Sequence, residues 1–210
     1  MFAHSIRESI QDEVPTAQLE SVKSALSPVV SGAIETLEQG RHFLCEITDE
    51  QYCYDATPHL TSTIGQHFRH WLDLFHALFQ PEFSSESSHQ PPFANAADAH
   101  YEIDYNQRRR GHDVEHHRQT AIDEISHFID QLSRLSEESL TKSVMILTEV
   151  SLQQSEVCAL PSTLGREITF SALHANHHYA MAKVVMSLLD VKTSDDFGLA
   201  PATATFIRGQ

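Results

Sequence analysis

Residues 164–189, LGREITFSALHANHHYAMAKVVMSLL, constrain this chain more than any other segment. The run has no proline, one glycine in its first turn, and frequent Ala, Leu, Met, Lys and Glu. That composition suits a helix of about seven turns. Within it His174 and His178 stand four residues apart. At 3.6 residues per turn, this spacing stacks two imidazoles on one face, where both reach a single metal ion. Ser171, Ala175, Ala182 and Val185 share that face, so it looks toward the interior and not to water. His177 points well away, toward the side of Val184 and Leu188. A lone inward histidine is more often a satisfied core residue; a pair at ligand spacing favours metal.

A metal centre needs a framework. A chain of 210 residues with 40% apolar content is long enough for one domain around one core. Lys and Arg number 14 against 29 Asp and Glu, a formal charge of −15, which repels a phosphate backbone and argues against nucleic acid. The longest apolar runs, such as 144–147, are far short of the ~20 residues needed to cross a bilayer. The opening MFAHSIRESIQDEVP lacks the apolar centre of a secretory signal, so a cytoplasmic location is expected. Cys45, Cys53 and Cys158, odd in number and irregularly spaced, read as reduced thiols filling small core sites.

Helical spacing of Leu19, Val22, Leu26, Val29, Val30, Ala33, Ile34 and Leu37 predicts helix one over 16–39, with Gly40 as its stop and Pro28 as a kink or break. Residues 41–62 read as an irregular connection. Helix two spans 63–79, opened by a Thr63/Gln66 capping box, with Ile64, Phe68, Trp71, Leu72, Phe75, Leu78 and Phe79 as its core stripe. His67 lies at the edge of that stripe, whereas His70 points further outward and His76 sits on the opposite flank. His67 is therefore the candidate third ligand. Residues 80–104, rich in Ser and Pro, read as a mobile surface loop. Arg108, Arg109 and Arg110 then form a basic cluster, of which at least two should pair with surface carboxylates and one is left to bind an anionic group of a substrate. Helix three covers 115–135 on Ile122, Ile125, Ile129 and Leu132. Alternation over 142–150 predicts a strand, with 156–160 as its hairpin partner. Beyond Asp190 the tail reads as loosely ordered. Ser62-Thr63-Ile64-Gly65 and Ser162-Thr163-Leu164-Gly165 echo one another, which shared capping chemistry explains.

The segments STIGQHFRHWLDLF, YNQRRR and STLGREITFSALHANHHYAMA, together with the helical pattern over most of the chain, resemble the DinB-like superfamily. That resemblance implies an all-α fold, a four-helix bundle forming a single domain over 1–210, to which the alternation adds a small β-hairpin between helices three and four. It also implies that one histidine of the second helix and two of an H-x-x-x-H on the fourth hold a divalent ion, which falls on His67, His174 and His178. Many members have Tyr-Asp where this chain has Tyr105-Asn106. Three protein ligands with an open coordination position are the arrangement of a catalytic site. The function expected is a divalent-metal-dependent hydrolase or thiol-dependent transferase, using Zn, Ni or Fe, with Glu167 and Tyr105 as speculative proton-handling groups. The alternative is a non-catalytic metal-binding or scaffold protein. The partner expected is a small-molecule substrate or low-molecular-weight thiol, with a homodimer allowed and neither nucleic acid nor membrane engaged.

Overall fold

In the computed structural model of the chain, which describes residues 26–80 and 101–210, Pro28 opens the first described helix. Helix α1 is Pro28–Glu46, and the Ser27 hydroxyl caps it by accepting from the Val29 amide. Proline suits this position because its missing N–H would have no intrahelical partner there. The part of the expected first helix over 16–25 lies outside the described residues. Gly40, read as a stop, is instead inside α1. A Cβ there would overlap the Tyr179 hydroxyl, so glycine is what lets the long C-terminal helix approach.

The next element, α2 (Asp49–Tyr52), is a single turn fixed by a Thr48/Gln51 capping box, and it aims the Tyr52 hydroxyl at the Val114 carbonyl, 2.6 Å away. Helix α3 is Ile64–Leu78. Its capping box forms as the sequence implies: Thr63 Oγ1 accepts from the Gln66 amide at 3.2 Å, and Gln66 Oε1 accepts from the Thr63 amide at 3.0 Å. Strand β1 (Tyr101–Asp104) comes next, followed by a 3-10 turn at Asp113–Glu115, α4 (Arg118–Ser133) and the short α5 (Glu137–Leu140). A hairpin of β2 (Ser143–Glu149) and β3 (Val157–Thr163) leads into α6 (Leu164–Leu188), and α7 (Pro201–Arg208) ends the chain.

The expectation of an all-α four-helix bundle is overturned by the sheet. Among the described residues there are seven helices and a three-stranded mixed sheet, which makes the fold α/β. The strand order is β1-β2-β3: β1 runs parallel to β2 with Ile103 opposite Ile146, and β2 runs antiparallel to β3 with Ser143 opposite Thr163. β1 occupies the end of the segment read as a loop; residues 81–100 of that segment lie outside the described residues. A parallel partner comes from far along the chain and leaves no local turn signal, which is why the strand was not legible. β3 runs through Pro161 because it is an edge strand, where a missing N–H is tolerated.

Helix α6 packs on α1 and α3, and α4 packs on the same two. Phe68, Trp71 and Tyr179 meet at the centre, with Phe68–Tyr179 ring centroids 5.7 Å apart and Trp71–Tyr179 5.8 Å apart. The tail past Asp190, read as loosely ordered, is tied down by Phe197, which is buried and stacks on Phe43 at 4.3 Å and on Tyr179 at 5.2 Å. Gly198 follows at φ 75°, with its α-carbon against the Ala180 backbone, so a side chain there is excluded twice over. Cys45 and Cys53 are exposed and Cys158 is half-buried, so none fills the core as the sequence suggested. No helix among the described residues is long and apolar enough to cross a membrane.

Candidate metal centre

Helix α6 enters directly from β3. Thr163 is both the last strand residue and the helix N-cap, its hydroxyl accepting from the Arg166 amide at 3.4 Å. From this start, His174 and His178 fall on the face turned toward α3. His178 is buried and His174 half-buried, while His177 is exposed. Their Nε2 atoms lie 3.0 Å apart.

The third imidazole comes from His70. Its Nε2 lies 3.2 Å from His174 Nε2, and one nitrogen from each of His70, His174 and His178 falls within 4.8 Å of the other two. His67, the third ligand expected from the sequence, stands outside this group. Its Nδ1 lies 2.9 Å from His178 Nδ1, on the ring edge facing away from the converging Nε2 atoms. Contacts of His67 with His178 and of His70 with His174 are those of two helices running in opposite directions. His70 points further outward than His67 from the apolar stripe of α3, yet that flank of the helix is not solvated. Arg69 on one side of it is 8% exposed and Asp73 is 5% exposed.

These two residues belong to a continuous ionic chain. Arg69 Nε donates to Glu115 at 2.9 Å and its Nη1 to Asp73 at 2.8 Å. Asp73 also accepts from Arg109 Nε at 2.7 Å, and Arg109 forks onto Glu124 at 2.8 and 3.0 Å. His76 Nε2 closes the chain on Glu124 at 2.9 Å. Burial would raise the Glu124 carboxyl, but the bonds from His76 and Arg109 outweigh it and bring it down to about 2. Of the three consecutive arginines only Arg109 pairs with carboxylates among the described residues, where at least two were expected to. Arg108 donates to the carbonyls of Tyr105 and Gln107.

The imidazoles are kept neutral. Burial, reinforced by His174, His70, His67 and His177, pushes His178 down to about 2. Burial, with Arg108, His174 and Arg69 adding to it and Asp73 opposing, pushes His70 down to about 4. Burial likewise lowers His174 and His67. Neutral imidazole has one lone pair and one N–H, so at neutral pH each ring has one nitrogen lone pair to offer an ion.

The donor set fits a cation. His174 Nε2 lies between two other Nε2 atoms, and a single nitrogen holding either one proton or one lone pair cannot form two good hydrogen bonds at once. Nitrogens at the corners of a tetrahedron with bonds of 2.0–2.1 Å lie about 3.3–3.4 Å apart, close to the two shorter separations here. His67 Nε2 is buried without a hydrogen-bond partner among the described residues, as befits a ring placed for its other nitrogen.

Glu167 and Tyr105 are bonded to each other and not to the imidazoles. The Tyr105 hydroxyl donates to Glu167 Oε2 at 2.9 Å, and Glu167 Oε1 accepts from Ser162 and Arg166, both at 2.6 Å. Fully buried, Glu167 anchors the first turn of α6, about 10 Å of helix rise from His174. Phe170 separates the pair from the cluster, its ring 5.8 Å from Tyr105 and 5.9 Å from His174. Burial raises the Tyr105 hydroxyl well above its ordinary value, which fits an anchoring donor.

No protein-family model matches the chain, and no solved structure matches it. Among curated proteins it is similar to FK506-binding protein 5 of Rhizopus delemar, with 29% identity over 108 residues, 51% of this chain. The match spans only 28% of that protein's length, so the activity of the longer protein stays with it.

Proposed function

We propose that His70, His174 and His178 hold one divalent metal ion, and that the protein is a metal-dependent enzyme of the DinB-like class acting on a small molecule, as a hydrolase or a thiol-dependent transferase. The observation that carries this reading is the convergence of three neutral Nε2 atoms, with neighbours 3.0 and 3.2 Å apart and no carboxylate or cysteine in the group. Three nitrogen ligands leave an ion a coordination position to spare, the arrangement typical of catalytic sites. A cleft of about 450 Å³, lined in part by His67, His70 and His178, gives that position access from outside, which favours catalysis over a sealed structural site. Bound there, an ion would supply either an acidified water or a thiol held as thiolate. Imidazole suits Zn, Ni and Fe alike.

Elemental analysis of untagged protein tests the reading. About one equivalent of a divalent metal per chain is expected, lost in His70→Ala, His174→Ala and His178→Ala. Protein purified without chelators and still metal-free after incubation with zinc, nickel and ferrous salts would overturn it.

A further inference from the structure

The basic run has one member without a polar partner among the described residues. Arg109 is consumed by Asp73 and Glu124, and Arg108 is turned onto the backbone carbonyls of Tyr105 and Gln107. Arg110 is exposed and, among the described residues, makes neither an ion pair nor a hydrogen bond. In a chain of formal charge −15, where carboxylates are plentiful, an uncompensated guanidinium is unusual. Its position gives it a use. Arg110 lines the same cleft as His70 and His178. The other charged groups of that wall, Arg69 and Glu115, neutralise each other at 2.9 Å.

We propose that Arg110 anchors the carboxylate of a small ligand in this cleft, leaving the ligand's remaining donor to face the three-histidine cluster. This rests on the metal reading above and narrows its substrate class to small carboxylates, among them carboxylate-bearing thiols. One free guanidinium balances one negative charge, and its planar fork matches a carboxylate bidentately. A phosphate dianion would call for a second uncommitted cation in the cleft wall, and Arg69, which also lines it, is already paired with Asp73 and Glu115.

Two measurements test it. In cobalt-substituted protein, visible bands are titrated with 3-mercaptopropionate and with 2-mercaptoethanol, for the native chain and for Arg110→Gln. Among the described residues Arg110 makes no hydrogen bond or ion pair that holds the fold, and circular dichroism checks that the variant is folded. The substitution should weaken 3-mercaptopropionate by about tenfold or more and leave 2-mercaptoethanol and cobalt affinity unchanged. Equal weakening of both thiols, or of neither, overturns the proposal. In metal-free protein, excess 3-mercaptopropionate should slow phenylglyoxal modification of Arg110, mapped by mass spectrometry, relative to the exposed Arg208 at the C-terminus. Equal rates at the two arginines, with and without ligand, also overturn it. Absence of cobalt bands together with protection of Arg110 would defeat the metal reading and leave the anion site standing.

Discussion

His67 Nδ1 lies 2.9 Å from His178 Nδ1, while the Nε2 on the other edge of the His178 ring meets His174 at 3.0 Å. The two contacts are coupled through one ring. A metal held by His178 Nε2 would take the lone pair there and leave the proton on Nδ1, from which His178 would donate to His67. Partners of this kind fix the tautomer and orientation of a ligand, and their removal commonly costs 10–100-fold in metal affinity. His67→Ala should therefore bind metal about 10–100-fold more weakly than the native chain, whereas His70→Ala should lose it. Competition with a chromogenic chelator measures both. Complete loss in His67→Ala with retention in His70→Ala would show that the ligand from α3 is His67.

Breaking the ionic chain should be costly. The Asp73 side chain is 2% exposed and holds both Arg69 and Arg109. Asp73→Ala leaves two guanidiniums short of a partner, a loss of about 3–5 kcal/mol when a buried pair is broken. Urea unfolding of the two proteins at neutral pH should show a lower midpoint with the slope unchanged. A change below about 1 kcal/mol would mean that water already satisfies these arginines.

The Glu124 carboxyl fixes a pH dependence. Its value falls from 4.5 to about 2, so between those values the folded chain keeps it ionised while the unfolded chain protonates it. Its contribution to stability is complete above about pH 4.5 and is lost as pH falls toward about 2. The contribution is at most about 3 kcal/mol. The gap in urea midpoint between the native chain and Glu124→Gln should be constant at neutral pH and shrink through that acidic window. A gap that instead grows on acidification would contradict the assignment.

Metal removal should soften the protein without unfolding it. The helices that carry the ligands are already held by the buried cluster of Leu37, Phe68, Trp71, Phe75 and Tyr179. An ion that binds only the folded chain adds about 2.7 kcal/mol at a free concentration one hundred times its dissociation constant. Chelation should therefore lower the melting temperature by several degrees and leave the helical circular dichroism at room temperature intact. Collapse of that signal would identify the metal as structural.

The legible parts of the site were those written in local spacing. His174 and His178 follow from one helical turn, and Thr63 and Thr163 cap the helices whose starts they mark in the sequence. His70 was missed because an apolar stripe marks a buried face only when its polar flank is wet, and here Arg69 and Asp73 bury that flank through ion pairs. β1 was missed for a different reason: four residues, YEID, carry almost no alternation, and their partner Ser143–Glu149 lies far along the chain. Phe197 gave no warning either, since a lone aromatic in a polar tail has no period to betray its burial.

Arg69 stands one residue before His70, and Asp73 three residues after it. Both are moored to groups off the helix, Arg69 to Glu115 and Asp73 to Arg109. Two moorings on one side of a cylinder resist its rolling, and His67 and His70, three residues apart, are separated by about 60° around the helix axis. Charged residues that touch none of these imidazoles thus act as a detent, holding His70 against His174 and His67 against His178.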